Sequence, residues 1–226
     1  MKNIQLIGLL TLMLLSCNVP DKQKPKSANY DLKGNVKFLS EKKIVFLYDE
    51  TSDTTKSYVQ IINRYFDKNA CINITEFFFN EDSTFLSSLK YYSDGTSILF
   101  DKEGNERNVS KIILVKDDIF YVEVYDHSTK KIIEKAWTKY DNEHIVWEKS
   151  IAIRDNFYME DVYCRNHDGL DTIIKRKYGN ENSEYSLINI KYLSFDKKGN
   201  WIERLEYSLI DTNNYILKQR RIEYYE

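Results

Sequence analysis

Phe195-Asp196-Lys197-Lys198-Gly199-Asn200-Trp201-Ile202-Glu203-Arg204-Leu205-Glu206-Tyr207 holds a turn and a strand in one run. An aromatic residue closes one segment. Asp196 can accept hydrogen bonds from backbone groups two or three residues on, and Gly199 can take the left-handed conformation that most residues avoid. A turn of this kind joins two antiparallel strands. After it, apolar and polar residues alternate by twos, the period of a half-buried strand.

The same pattern recurs on either side. Sharp copies are Tyr30-Asp31-Leu32-Lys33-Gly34-Asn35 and Phe100-Asp101-Lys102-Glu103-Gly104-Asn105. Looser ones include Phe66-Asp67-Lys68-Asn69, Tyr92-Ser93-Asp94-Gly95, Tyr125-Asp126-His127 and Tyr140-Asp141-Asn142. Between them, residues 111–115, 119–125, 131–140, 144–151, 185–192, 201–207 and 215–224 alternate well. Many strands, short turns and no crossover helices predict antiparallel pairing of chain neighbours. The expected fold class is therefore all-β, an antiparallel β-meander forming a large curved sheet or an open barrel. One segment stays open. Tyr58, Ile61, Ile62 and Tyr65 fit helical spacing after Ser57, while Val59, Ile61 and Tyr65 fit a strand.

The 195–207 stretch resembles the tyrosine-aspartate hairpin repeats of Rhs-type proteins, and hairpin-repeat lipoproteins of Bacteroidota. The resemblance implies a meander of hairpins forming a curved sheet or shell. It implies no active residue, since the motif describes a hairpin and not a chemistry.

The N-terminus has another logic. Lys2 supplies a short positive start. Residues 4–15 are apolar except for Gln5 and Thr11, with Gly8 the other interruption. Leu14-Leu15-Ser16-Cys17 follows. This is the layout of a secretory signal, and its apolar run is shorter than the roughly 20 residues a membrane span needs. The ending resembles the lipobox of bacterial lipoproteins, although Leu15 stands where a smaller residue is commoner. The resemblance implies cleavage after Ser16 and lipidation of Cys17. Residues 1–16 then form the signal peptide. Residues 17–29, polar and holding both prolines, Pro20 and Pro25, form a lipid-anchored flexible linker. Residues 30–226 form the β-meander domain. The expected location is the cell envelope, at the outer membrane on its periplasmic or surface side.

Composition narrows the functions. Acids and bases are interspersed, and the formal net charge is −2, with one Lys and no acid in residues 1–16. No basic stripe points to nucleic acid. The 18 Tyr, 11 Phe and 3 Trp favour strands. Cys71 and Cys164 are expected either as a disulfide, in an oxidising compartment, or as two buried thiols. His127, His144 and His167 sit in or beside turns without metal-ligand spacing. There is no Gly-x-Ser-x-Gly, phosphate loop or dinucleotide fingerprint, so no catalytic set, metal or cofactor is expected. Trp137, Trp147 and Trp201 lie in separate alternating strands and are the candidate ligand-stacking aromatics. Phe77-Phe78-Phe79 reads as a strand covered on both faces. The expected function is a non-enzymatic envelope module, binding or structural, for a protein, peptide or glycan. The alternatives are a secreted hydrolase acting on glycans through a scattered carboxylate pair, and an immunity lipoprotein.

Overall fold

The computed structural model describes residues 32–49, 54–79, 84–92, 94–116, 118–141, 144–208 and 214–226. The signal, Cys17 and the linker lie outside the described residues. Fourteen strands are described: β1 (Val36–Asp49), β2 (Thr54–Phe66), β3 (Ile72–Phe79), β4 (Thr84–Tyr91), β5 (Thr96–Asp101), β6 (Glu106–Lys116) and β7 (Ile119–Asp126). They continue as β8 (Ile132–Asp141), β9 (His144–Ala152), β10 (Phe157–Arg165), β11 (Asp171–Gly179), β12 (Ser186–Phe195), β13 (Trp201–Ser208) and β14 (Tyr215–Tyr224). Each pairs antiparallel with its neighbours in sequence, and β1 pairs with β14, so the meander closes into a barrel. The all-β meander is as expected. The barrel is closed rather than open, and residues 54–66 are strand β2, not a helix. Val59 pairs with Ile44 and Ile61 with Lys42, so a two-sided ladder overrides the helical spacing.

One turn design recurs at four places. Asp67, Asp101, Asn166 and Asp196 each accept, through Oδ1, the N–H groups two and four residues on. The residue three positions on has positive φ: Ala70 at 63°, Gly104 at 84°, Gly169 at 79° and Gly199 at 78°. The ladder slips just before each turn, at Tyr65/Phe66, Leu99/Phe100, Cys164/Arg165 and Ser194/Phe195. Such bulges sharpen local twist and bend the strand, which helps a sheet curl onto itself. Of the 30–35 copy, residues 32–35 are described: they lead into β1, and Asn35 O accepts Tyr225 N–H.

The closing seam is held by side chains far apart in sequence. β1 and β14 align Leu39 with Ile222 and Phe46 with Tyr215. Asn200 takes Lys33 N–H on its carbonyl and gives its amide to Lys33 O and Tyr224 Oη. Tyr225 Oη donates to Phe66 O. Leu32, Val36, Leu39, Phe66 and Ile72 pack beneath this junction as an apolar cluster.

The interior is two-sided. Across β2 to β8 it is mainly apolar, built from Ile62, Phe77, Leu89, Leu99, Phe120, Val122, Val124, Ala136 and Tyr140, with Arg64 and Glu134 buried on the same strands. Phe77 is fully buried there, whereas Phe78 meets Phe85, so the three-phenylalanine run alternates between faces. Across β9 to β14 and β1, the inward row carries most of the buried charge, among apolar residues such as Ile174 and Ile190. Asp161 receives a two-pronged guanidinium from Arg176 at 2.8 and 2.6 Å. Glu206 meets Arg204 at 2.6 Å and Lys218 at 2.7 Å, and Glu41 meets Arg220 at 3.0 Å across the seam. Eight strands already make a barrel that side chains can fill. Fourteen enclose more space, and long paired side chains occupy it here.

Candidate functional site

The outward faces of β8, β9, β10 and β11, with the β11–β12 connection, form an open groove of about 550 Å³. Its lining is Trp137, Trp147, Lys149, Tyr158, Glu160, Lys177, Glu181 and Tyr185. The alternation of β8 explains Trp137: Ala136 and Thr138 are buried inward, so the indole must face out. Trp147 and Lys149 follow the same rule on either side of buried Glu148. The volume is in the range of small-molecule sites, roughly 300–1,000 Å³.

Glu160 organises the groove. It accepts Trp147 Nε1 at 2.8 Å and Tyr158 Oη at 2.9 Å, and it is hydrogen-bonded to Tyr185. Lys177 Nζ stands 4.0 Å away. Burial pushes its carboxyl up, but the three donors and Lys177 outweigh burial and hold it below the ordinary value. The Tyr158 hydroxyl is pushed well above its usual range by burial and by that carboxylate. Three ring systems are thus fixed around one anion. Trp137 is backed by Tyr121, stacked at 5.0 Å.

Two ammonium groups complete the site. Lys149 Nζ lies 5.5 Å from the Trp137 ring centre and 5.1 Å from that of Tyr158. Lys177 Nζ lies 4.6 Å from the Tyr185 ring centre. Glu181 reaches both: its carboxylate is 3.4 Å from Lys149, and its carbonyl accepts Lys177 at 3.4 Å.

Trp137 and Trp147 are therefore brought together, on one exposed face. Trp201 is not with them. It is 1% exposed and faces the interior, with the guanidinium carbons of Arg220 and Arg204 at 3.4 and 4.3 Å from its ring centre. An indole so enclosed cannot stack on a solvent-borne ligand. Cys71 precedes β3 and Cys164 lies near the end of β10; both are free thiols. His127 meets Glu106 across a turn at 3.0 Å, His167 is exposed beside Asp168, and His144 begins β9. Lys149, Tyr158, Glu160, Lys177, Glu181 and Tyr185 were not singled out by sequence. The signal available was Tyr-x-Glu at 158–160 on an alternating strand, which puts both side chains on one face.

No family model and no curated protein matches the chain. Among solved structures it is similar to a porin-like protein from Bacteroides uniformis, at 10% identity and a TM-score of 0.43, covering 82% of this chain and 97% of that one. It is also similar to a LolA superfamily protein from Nitrosomonas europaea, at 6% identity and 0.34, covering 93% and 94%. A putative outer membrane lipoprotein-sorting protein domain from Vibrio parahaemolyticus gives 6% and 0.29, covering 87% and 88%. Likenesses of this depth carry nothing about ligand or activity.

Proposed function

We propose that the chain is a cell-envelope binding module, tethered through a lipid on Cys17, that holds a glycan in the groove of β8 to β11. The observation that carries this reading is the groove itself. Trp147, Tyr158 and Tyr185 are fixed around Glu160 and Trp137 is backed by Tyr121, so their faces are offered without further ordering. Flat apolar faces flanked by polar groups suit the alternating CH and OH surfaces of sugar rings, and prior ordering reduces the entropy lost on binding.

Outer-wall chemistry supports the tether. Lys90, Lys111, Lys139, Lys175, Lys191 and Arg221 are exposed on the strands. A barrel that spans a bilayer presents an apolar band outward, and cations at its midplane cost roughly 2–4 kcal/mol each. Leu47, Ile113, Leu187, Leu193 and Phe195 are exposed too, but cations such as Lys191 interrupt them, so this wall suits water and leaves membrane attachment to the lipid. The groove also lies toward the barrel end away from residues 32–35, where the chain leads into β1.

The hydrolase alternative fits less well. Glu160 is held ionised by its donors, which suits it to ordering rings and not to giving up a proton.

Isothermal titration with a panel of neutral and acidic oligosaccharides tests the glycan reading. At least one should bind, with a change in tryptophan fluorescence, and Trp147→Ala should weaken it about tenfold or more while preserving the strand signal in circular dichroism. Binding of no oligosaccharide, or undiminished binding by the variant, overturns it. The tether is tested separately: Cys17→Ser should lose lipid labelling and leave the membrane fraction. A variant that still fractionates with membranes refutes the lipid anchor.

A further inference from the structure

The groove's two lysines are better placed than its own partners need. Lys149 and Lys177 are about four-fifths buried, at 21% and 22% side-chain exposure, and each ammonium is set against aromatic rings. Glu181, which joins them, is 70% exposed and sits in the β11–β12 connection. Its contacts to both are 3.4 Å long, and so exposed a pair contributes little. Glu160 meanwhile is occupied by three hydrogen bonds. The ammonium of Lys149 can therefore exchange its exposed partner at low cost, and that of Lys177, 4.0 Å from Glu160, adds a second positive charge, so the groove selects an anionic acceptor.

Resting on the glycan reading, we infer that the groove takes an acidic sugar, whose carboxylate displaces the Glu181 side chain to lie against Lys149 and Lys177 while its ring stacks on the neighbouring aromatics. The Glu181 carboxylate is then an internal stand-in for the ligand's anion at Lys149, ordering that lysine and competing with the ligand. The exchange is one carboxylate for another, with no bond made or broken. The ladder favours such a motion. β12 pairs with β11 over only Ile173–Arg176, so Lys177, Tyr178 and Gly179, held by β10 on one side, are unpaired on the side of the connection that carries Glu181.

The test compares a galacturonate trisaccharide with the neutral galactose trisaccharide by titration calorimetry, on wild type, Glu181→Gln and the double variant Lys149→Gln/Lys177→Gln. Wild type should bind the acidic sugar at least tenfold more tightly, with a preference that shrinks as salt rises. Glu181→Gln should tighten the acidic sugar about three- to tenfold and leave the neutral one unchanged. The double variant should abolish the preference. Glu181 is exposed, so its variant keeps the test valid even if the lysine variant misfolds. Equal or tighter binding of the neutral sugar, or no gain in Glu181→Gln, overturns the acidic-sugar inference while the glycan reading stands. Should neither trisaccharide bind, the inference is overturned, and the wider panel decides the glycan reading.

Discussion

At the scale of single residues, the four matched turns isolate the value of one side chain. Gly104, Gly169 and Gly199 fill the positive-φ position at three of them, and Ala70 fills it at the fourth with φ of 63°. A Cβ in that conformation meets the adjoining carbonyl, at a cost of roughly 1–2 kcal/mol. Part of this is offset because glycine also loosens the unfolded chain. Ala70→Gly should therefore stabilise the protein by about 1 kcal/mol, seen as a rise in melting temperature of roughly 2–4 °C for a chain of this size. A fall would mean that the Ala70 side chain contributes packing that outweighs the backbone strain.

At the scale of strands, the sequence was legible where interactions are local and opaque where they are not. Asp101 or Asp196 finds its donors within four residues, so the hairpins could be read directly. Closure depends on Leu39 meeting Ile222, and no local pattern marks that pairing. Facing was opaque for another reason. Apolar-inward alternation would turn Leu205 and Tyr207 of β13 into the core, yet Arg204 and Glu206 point inward there, and Arg176 and Asp161 do so on β11 and β10. Trp201 is inward as well, because the ladder slips between it and Arg204, and its ring packs on inward arginines, whereas Trp137 alternates with small inward Ala136 and Thr138 and faces out. The groove drew on residues 137 to 185, four strands and a connection apart, so only its tryptophans stood out. These inward charges depend on each other. Asp161 has no exposed side-chain surface, and Arg176 supplies two of its hydrogen bonds. Arg176→Ala should lose roughly 3–5 kcal/mol, because a buried carboxylate is left without its partner. Asp161→Leu with Arg176→Met should be distinctly more stable than that single variant. Denaturant titration of both decides it, and additive losses would show that the pair is not coupled.

At the scale of the whole barrel, a half-apolar, half-ionic interior makes stability a function of pH. Burial, with nearby Asp161 and Asp171, raises Glu148 from 4.5 to about 8, although the Tyr163 hydroxyl pulls the other way. Burial also raises Glu134, well above the ordinary value. A carboxyl raised on folding lends stability that is complete below its unfolded pKa, near 4.5, and is lost as pH climbs through the folded one, here about 8. Glu41 behaves oppositely. Burial pushes it up, but Arg220, Lys218, Arg64 and Arg204 bring it down to about 2, and the cations around Glu206 lower that group as well. Their contribution is present above 4.5 and is lost on the acid side, that of Glu41 as pH falls through about 2. The two trends meet near the unfolded carboxyl value, so the melting temperature should peak at about pH 4–5 and decline toward pH 8. Glu148→Gln keeps an acceptor for Tyr163 without the charge. It should leave the melting temperature at pH 4.5 nearly unchanged and raise it by several degrees at pH 8, flattening the neutral side of the curve. Calorimetric scans of the two proteins between pH 3 and 9 give the answer. Parallel curves would mean that Glu148 stays ionised inside the folded barrel, and that the ionic half of the interior is neutralised by its cations without help from a protonated acid.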